Sequence, residues 1–365
     1  MRTPRRLALA GFALLAAACE GTYNPQPERP FLAPALVAGL ESSGVSVGNS
    51  TPNLAWLWSS AGRADLTPRT QGAYASAVAC AGADVYAAGA VDIGAYGDAA
   101  AYWKNGTAVV LTDGTSQDSA QAILVAGADV YVAGQYRYHP AYWRNGSAVV
   151  VSDGAFPNGG WGAGTARAIA LSGGDVLVAG DEVTEVEVAP SSYVSTNSAR
   201  LWRNGVATNL TDGLHGAQAL GLAVSGGDVH VAGFEADDAG YFLATVWKNG
   251  VAQRLPQGSF GAVATSIALA GADVYVAGYQ GNGSTVFATY WKNGVPVALG
   301  DGNRESAALS IAVVETGGGL LPVRRSVMVA GYQGNTAMLW RDGVATALSD
   351  GKQFATATGV SAACR

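Results

Sequence analysis

Charge is scarce in this sequence: Asp, Glu, Lys and Arg make up only 13% of its 365 residues. A typical soluble domain carries about 25%. Lys and Arg number 21 against 27 acidic residues, for a net charge of -6. That balance argues against nucleic-acid binding, which needs cations to displace counterions from phosphates. Cysteine and histidine are equally sparse, at three each. His139, His215 and His230 fall in three different segments, so zinc coordination is not expected, nor is any other cofactor. No Gly-x-Ser-x-Gly nucleophile elbow appears.

Glycine and apolar residues are abundant instead, with 50 glycines and 49% hydrophobic residues. Glycine costs about 1 kcal/mol against alanine inside a helix, which disfavours a helical bundle. Disordered chains are poor in apolar and aromatic residues, so disorder is excluded as well. A turn-rich all-β protein remains.

The N-terminus has its own logic. Arg2, Arg5 and Arg6 precede an apolar run over residues 7–18, the pattern of a secretory leader and shorter than the roughly 20 residues of a membrane span. Leu15-Ala16-Ala17-Ala18-Cys19 resembles the lipobox of bacterial lipoproteins, with Ala16 where leucine is commonest. The resemblance implies a signal peptide over 1–18, diacylation of Cys19 and, with Glu20 rather than aspartate next, the outer membrane or cell surface. Ordinary cleavage after Ala18, giving a periplasmic or secreted protein, is the alternative. Residues 19–34 then form a lipidated cysteine and a proline-rich tether, and residues 35–365 the body.

That body repeats. Residues 264–302 show the unit: two short apolar runs joined at Gly271-Ala272-Asp273, a loop, then two runs joined at Asn293-Gly294. Asn-Gly is a strong signal for a tight hairpin, because both central residues of a type I′ turn need positive φ. Four strands per unit is the economical reading. A tryptophan recurs in the third strand at Trp58, Trp103, Trp143, Trp202, Trp247, Trp291 and Trp340. A glycine recurs at the close of the second strand at Gly39, Gly89, Gly134, Gly180, Gly233, Gly278 and Gly331. The first strand recurs over 75–82, 120–127, 166–173, 219–226, 264–271, 308–315 and 357–364. The body thus begins with a second strand and ends with a first strand, so one unit is split between the chain ends. A closed ring explains this, since the C-terminal strand completes the first blade and no edge is left open. The expectation is a seven-bladed β-propeller of four-stranded antiparallel blades.

The pattern resembles kelch-type propellers, with departures: Ala-Gly (Ala133-Gly134, Ala277-Gly278) replaces Gly-Gly, and the tryptophan precedes an Asn-Gly turn. The Ala-x-x-Trp-x-Asn-Gly element is similar to the WKNG- and HAF-type repeats of bacterial exported proteins. The resemblance implies fold, export and little about chemistry.

In each blade the one-to-two and three-to-four joints are tight and share one end. Length variation is expected at the other end, where loops on a rigid scaffold usually carry function. Candidate binding residues there are Tyr136, Arg137, Tyr138, His139, Trp161, Asp181, Glu182, Glu185, Asp237, Asp238 and Tyr241, with Tyr96 and Tyr193 beside them. The acids Glu182, Glu185 and Glu187 of a blade-four insertion could hold a cation or a basic partner, although a solvated charged loop is the simpler reading. Repeated Asp-Gly pairs at Asp113, Asp153, Asp212, Asp301 and Asp350 read as turns, since calcium needs more oxygens than one Asp-Gly offers. Cys80 and Cys364 fall on neighbouring inner strands and could form a disulfide in an oxidising compartment. The leading functional reading is a monomeric, membrane-anchored lipoprotein whose propeller binds a protein or glycan, without nucleic acid and touching the membrane only through its lipid. A carbohydrate-active hydrolase or lyase using the central funnel, or an accessory subunit of an envelope complex, are the alternatives.

Overall fold

The computed structural model describes residues 35–44, 52–93, 97–152, 163–189, 192–318, 321–362 and 364. The leader, Cys19, the tether, Tyr96, Asp153 and Trp161 lie outside these residues. The described residues form a seven-bladed β-propeller, each blade a four-stranded antiparallel sheet. Blade one joins both chain ends, in the order β28 (Ala355–Ala362), β1 (Ala35–Ser42), β2 (Asn53–Ser59), β3 (Gly62–Asp65). Blade two is β4 (Ala73–Ala81), β5 (Asp84–Asp92), β6 (Asp98–Lys104) and β7 (Thr107–Val110). Blade three is β8 (Ser119–Ala126), β9 (Asp129–Tyr136), β10 (His139–Arg144) and β11 (Ser147–Val150). Blade four is β12 (Gly164–Ser172), β13 (Asp175–Ala189), β14 (Ser192–Arg203) and β15 (Val206–Asn209). Blade five is β16 (Ala217–Ser225), β17 (Asp228–Ala236), β18 (Phe242–Lys248) and β19 (Val251–Arg254). Blade six is β20 (Ala262–Ala270), β21 (Asp273–Gly281), β22 (Val286–Lys292) and β23 (Val295–Ala298). Blade seven is β24 (Ser306–Gly318), β25 (Leu321–Gln333), β26 (Thr336–Arg341) and β27 (Val344–Ala347).

The core lies between sheets. Seven apolar clusters each join two neighbouring blades and each contain one fully buried tryptophan. One indole covers about 150–250 Å², so a repeated tryptophan holds otherwise alanine-rich sheets together. Blade one departs from the expected assignment. Trp58 holds the register position of the other tryptophans, pairing with Val37 as Trp103 pairs with Ala87, but stays partly exposed. Trp56 is the buried one and packs against Gly39.

The recurring second-strand glycine does not close its strand; it lies inside it. Each inner strand carries a β-bulge, with Ser76, Gln121, Arg167, Leu220, Thr265, Leu309 and Thr358 as the extra residues. Beside the bulge, a carbonyl of the inner strand presses on the glycine. A Cβ on Gly134 would lie 1.9 Å from Ser119 O, and one on Gly278 1.9 Å from Val263 O. Only glycine tolerates that approach.

The turn end is stitched by one motif. Asn105, Asn145, Asn204, Asn249 and Asn293 adopt φ near 50°, each followed by glycine at φ 80–83°, as type I′ turns require. Each Asn Oδ1 accepts the backbone N–H that follows the first residue of the second strand, at 2.8–2.9 Å. Its Nδ2 donates to that first residue, Asp84, Asp129, Asp175, Asp228 or Asp273, at 2.7–2.8 Å. The two hairpin turns of a blade are thereby tied together. In blade one Ser59 pairs with Gly62, so its turn has two residues like the others. Blade seven extends its β24–β25 hairpin at this same end, with Glu315 paired to Arg325. Length variation is therefore not confined to the loop end.

Cys80 and Cys364 are joined by a disulfide, with Cα atoms 5.2 Å apart. It ties the chain following β28 to β4 across 284 residues.

Candidate functional site

The loop end gathers the sequence-derived candidates into three groups. In blade three, Arg137 and Tyr138 form a two-residue turn with φ 50° and 70°, flanked by the paired Tyr136 and His139. This is a tight hairpin where an open loop was expected. Arg137 N–H donates to Asp118 Oδ1 at 2.7 Å, and its guanidinium lies over the Tyr136 ring and 3.7 Å from Asp113. Tyr136 meets Trp143 edge-on at 6.1 Å, while Tyr138 is 49% exposed. An aromatic and a cation are thus held at the surface on a braced turn. Asp118, buried and next to the start of β8, was not anticipated; Ala73 and Ala262 stand at the matching places of blades two and six, two residues before the alanine paired with the second-strand glycine.

The second group is in blade five. Asp237 Oδ1 accepts N–H groups of Ala239 and Tyr241, both at 2.9 Å, fixing the turn between β17 and β18. Asp238 points to solvent, 3.1 Å from His215 Nε2. Tyr241 and Phe242 are each 45% exposed, and Phe242 packs on Phe234 at 4.4 Å between ring centres.

Blade four requires a correction. Asp181 and Glu182 do not belong to a solvated loop; both are buried within β13, which runs with β14 as one long hairpin. Alternate residues of a strand face opposite sides of the sheet, and these two acids do so. Glu182 receives Arg200 at 2.6 Å and contacts Ser152 of blade three. Asp181 pairs with Arg167 Nε and receives Gln218 Nε2 of blade five at 3.4 Å. Burying a carboxylate is costly unless it is paired and hydrogen-bonded, and both meet that condition. Neither is available to a cation. Beyond them, Glu185 and Glu187 continue along the hairpin toward Tyr193, which is 45% exposed. Among the described residues no group of three His, Cys, Asp or Glu side chains is arranged to hold a metal.

Elsewhere at this end, burial raises the Asp98 carboxyl above its ordinary value, with a smaller contribution from Asp92. Burial, then the charge of Asp98, pushes the Tyr74 hydroxyl up to about 12. At the turn end His230 takes the place held by Tyr86, Tyr131 and Tyr275 in other blades. Burial depresses its pKa, as expected of a packing residue. The Asp-Gly pairs are Asx turns: Asp113, Asp212, Asp301 and Asp350 each accept the N–H two residues on, at 2.9–3.1 Å.

On the axis, the seven inner strands enclose a cavity of about 210 Å³. Its lining includes Ser76, Gln121, Arg167, Thr265 and Thr358, with no carboxylate among the described lining residues. Arg167 was missed from sequence, although a lone charge between Ala166 and Ala168 breaks the repeat visibly.

No family model matches the chain, and no curated protein matches it. Among solved structures it is similar to TolB from Acinetobacter baumannii, at 10% identity over 88% of this chain and 63% of that one, with a TM-score of 0.41. It is also similar to the β-propeller domain of the Trilobed protease from Pyrococcus furiosus, a propeller of open velcro topology. There the identity is 10% over 87% of this chain and 95% of that one, with a TM-score of 0.47. The chain spans less than two thirds of the TolB chain it matches. The assignment as a propeller rests on its own seven sheets.

Proposed function

We propose that the protein is a binding module of the cell envelope, anchored through lipidated Cys19, whose propeller presents its loop end to a protein or glycan partner. The observation that carries this reading is the braced blade-three turn. Arg137 and Tyr138 stand exposed on a two-residue turn that buried Asp118 fixes from beneath. Tyr and Arg are the residue types that dominate binding energy at interfaces, and holding them rigid lowers the entropy cost of association. Tyr193, Asp238 and Tyr241 extend the surface on blades four and five. The axial lining favours binding over the hydrolase alternative, because glycosidases use two carboxylates facing the scissile bond.

Crosslinked capture with the full-length chain, alongside glycan-array binding, tests the surface. Replacing Arg137-Tyr138 by Asn-Gly keeps a type I′ turn and should reduce recovery of the specific partner about tenfold or more. An unchanged partner set with that variant and with the blade-four hairpin shortened to the length of its neighbours would refute this placement. Anchoring is tested separately by labelling with a palmitate analogue: label should enter the wild type and be lost in Cys19→Ser.

A further inference from the structure

We propose that the axial cavity is a binding site for a small carboxylate, received by the guanidinium of Arg167. Seven bulge residues ring the axis, and six are uncharged: Ser76, Gln121, Leu220, Thr265, Leu309 and Thr358. Arg167 alone carries charge. It does not merely occupy space. Asp181 on β13 holds its Nε, and Gln218 of blade five steadies Asp181 from the other side. Asp181 is itself buried, so the guanidinium is anchored at its Nε by buried structure. Its two Nη nitrogens have no hydrogen-bond partner among the described residues, and the residue lines the cavity.

Guanidinium has donors only, in a planar fork that matches a carboxylate. A group that binds here must therefore present acceptor oxygens. Blade one lies three blades round the ring from blade four, across the axis. There Thr358 also lines the cavity, its hydroxyl donating to Ala75 O at 2.5 Å, so that it offers no proton of its own to a ligand. Thr265 likewise spends its proton on Ala308 O, at 2.7 Å. With both threonine protons spent on backbone carbonyls, the guanidinium of Arg167 is the charged donor of the lining, which suits a small carboxylate. Small residues such as Ala77, Ala122 and Gly221 share the wall with the apolar Val78, Ile169 and Leu222, so the rest of the lining is uncharged. This site is independent of the loop-end surface and stands or falls separately from it.

The probe is glycolate, with glycerol as the neutral control, titrated into the full-length protein. Nitrogen-labelled arginine side-chain NMR on the wild type should show saturable shifts of the Arg167 resonances with glycolate and none with glycerol. Arg167→Gln should weaken glycolate binding about tenfold or more. Because that substitution leaves Asp181 buried without its cation, Leu220→Trp serves as the second variant. It fills the cavity from blade five while both members of the ion pair remain in the chain, and should abolish binding. Absence of saturable shifts in the wild type, equal response to glycerol, or wild-type affinity in folded Leu220→Trp would each overturn the proposal.

Discussion

The two ends of the blades follow opposite rules. At the turn end, blades two to six repeat one arrangement: an aspartate opening the second strand, an asparagine in the type I′ turn, and a Lys or Arg closing the third strand. Lys104 lies 2.9 Å from Asp84, Arg144 2.5 Å from Asp129, and Lys248 2.8 Å from Asp228. At the loop end the neighbouring blades differ, with a two-residue turn in blade three, a long hairpin in blade four and an Asx-fixed turn in blade five. Many of the few charges are therefore used in neutral pairs that hold the turns together. Charges that break the repeat, such as Arg137 and Arg167, stand out against that background as candidates for recognition.

The repeated glycines divide along the same line, and this gives the largest expected effect. Gly278→Ala places a Cβ 1.9 Å from the Val263 carbonyl and 2.9 Å from the Trp291 ring. Backbone cannot yield to that contact, so a loss of about 5 kcal/mol or more, or failure to fold, is expected. Gly294→Ala at the turn meets open space and costs only the strain of its positive φ of 80°, about 1–2 kcal/mol. Urea unfolding of the two variants reads the difference. Similar losses would erase the distinction between a glycine that faces a bulge and one that makes a turn.

The chain termini supply the next test. Neighbouring blades are linked by short stretches of chain, but blade one depends on β28 returning from the far end. The Cys80–Cys364 disulfide closes a loop of 284 residues, and a crosslink over so long a loop stabilises by about 2–4 kcal/mol or somewhat more. Cys80→Ser with Cys364→Ser should lower the unfolding free energy from urea titration by that amount and make the urea midpoint insensitive to reductant. A wild-type midpoint that reductant leaves unchanged would show that strand pairing alone latches the ring.

Repetition made the architecture legible. Seven Asn-Gly or equivalent turns, seven tryptophans and a phase that begins on a second strand were enough to specify seven blades closed by the C-terminal strand. What sequence could not show was how neighbouring chains meet. The bulge that demands each second-strand glycine is a pairing irregularity, invisible in a list of residues. Asp181 and Glu182 looked like loop acids because their partners Arg167 and Arg200 are 14 and 18 positions away and on other strands. Trp56 and Trp58 could not be told apart by spacing alone. Arg167 and Asp118 were visible as departures from the repeat, and reading departures alongside matches would have found both.

The smallest effect concerns what holds the turn-end aspartates ionised. Asp129 is held below the usual carboxylate range first by its hydrogen bond from Asn145 and then by Arg144. A carboxyl whose pKa is lower folded than unfolded contributes stability above its unfolded value of about 3.9 and loses it as pH falls through the folded value. Asn145→Gly retains the positive φ of the turn but removes the amide, and with it both the bond to Asp129 and the one accepted from Val130 N–H; only the first bears on the carboxyl titration. Carboxyl NMR should find the Asp129 titration moved upward toward the ordinary value, and by more than in Arg144→Met, where the amide remains. The variant should also lose less stability than the wild type on acidification from pH 5 to pH 2, because less of its stability is linked to that proton. A larger shift from Arg144→Met would make the ion pair the principal support. The repeated asparagine would then matter for its turn conformation and not for its hold on the aspartate.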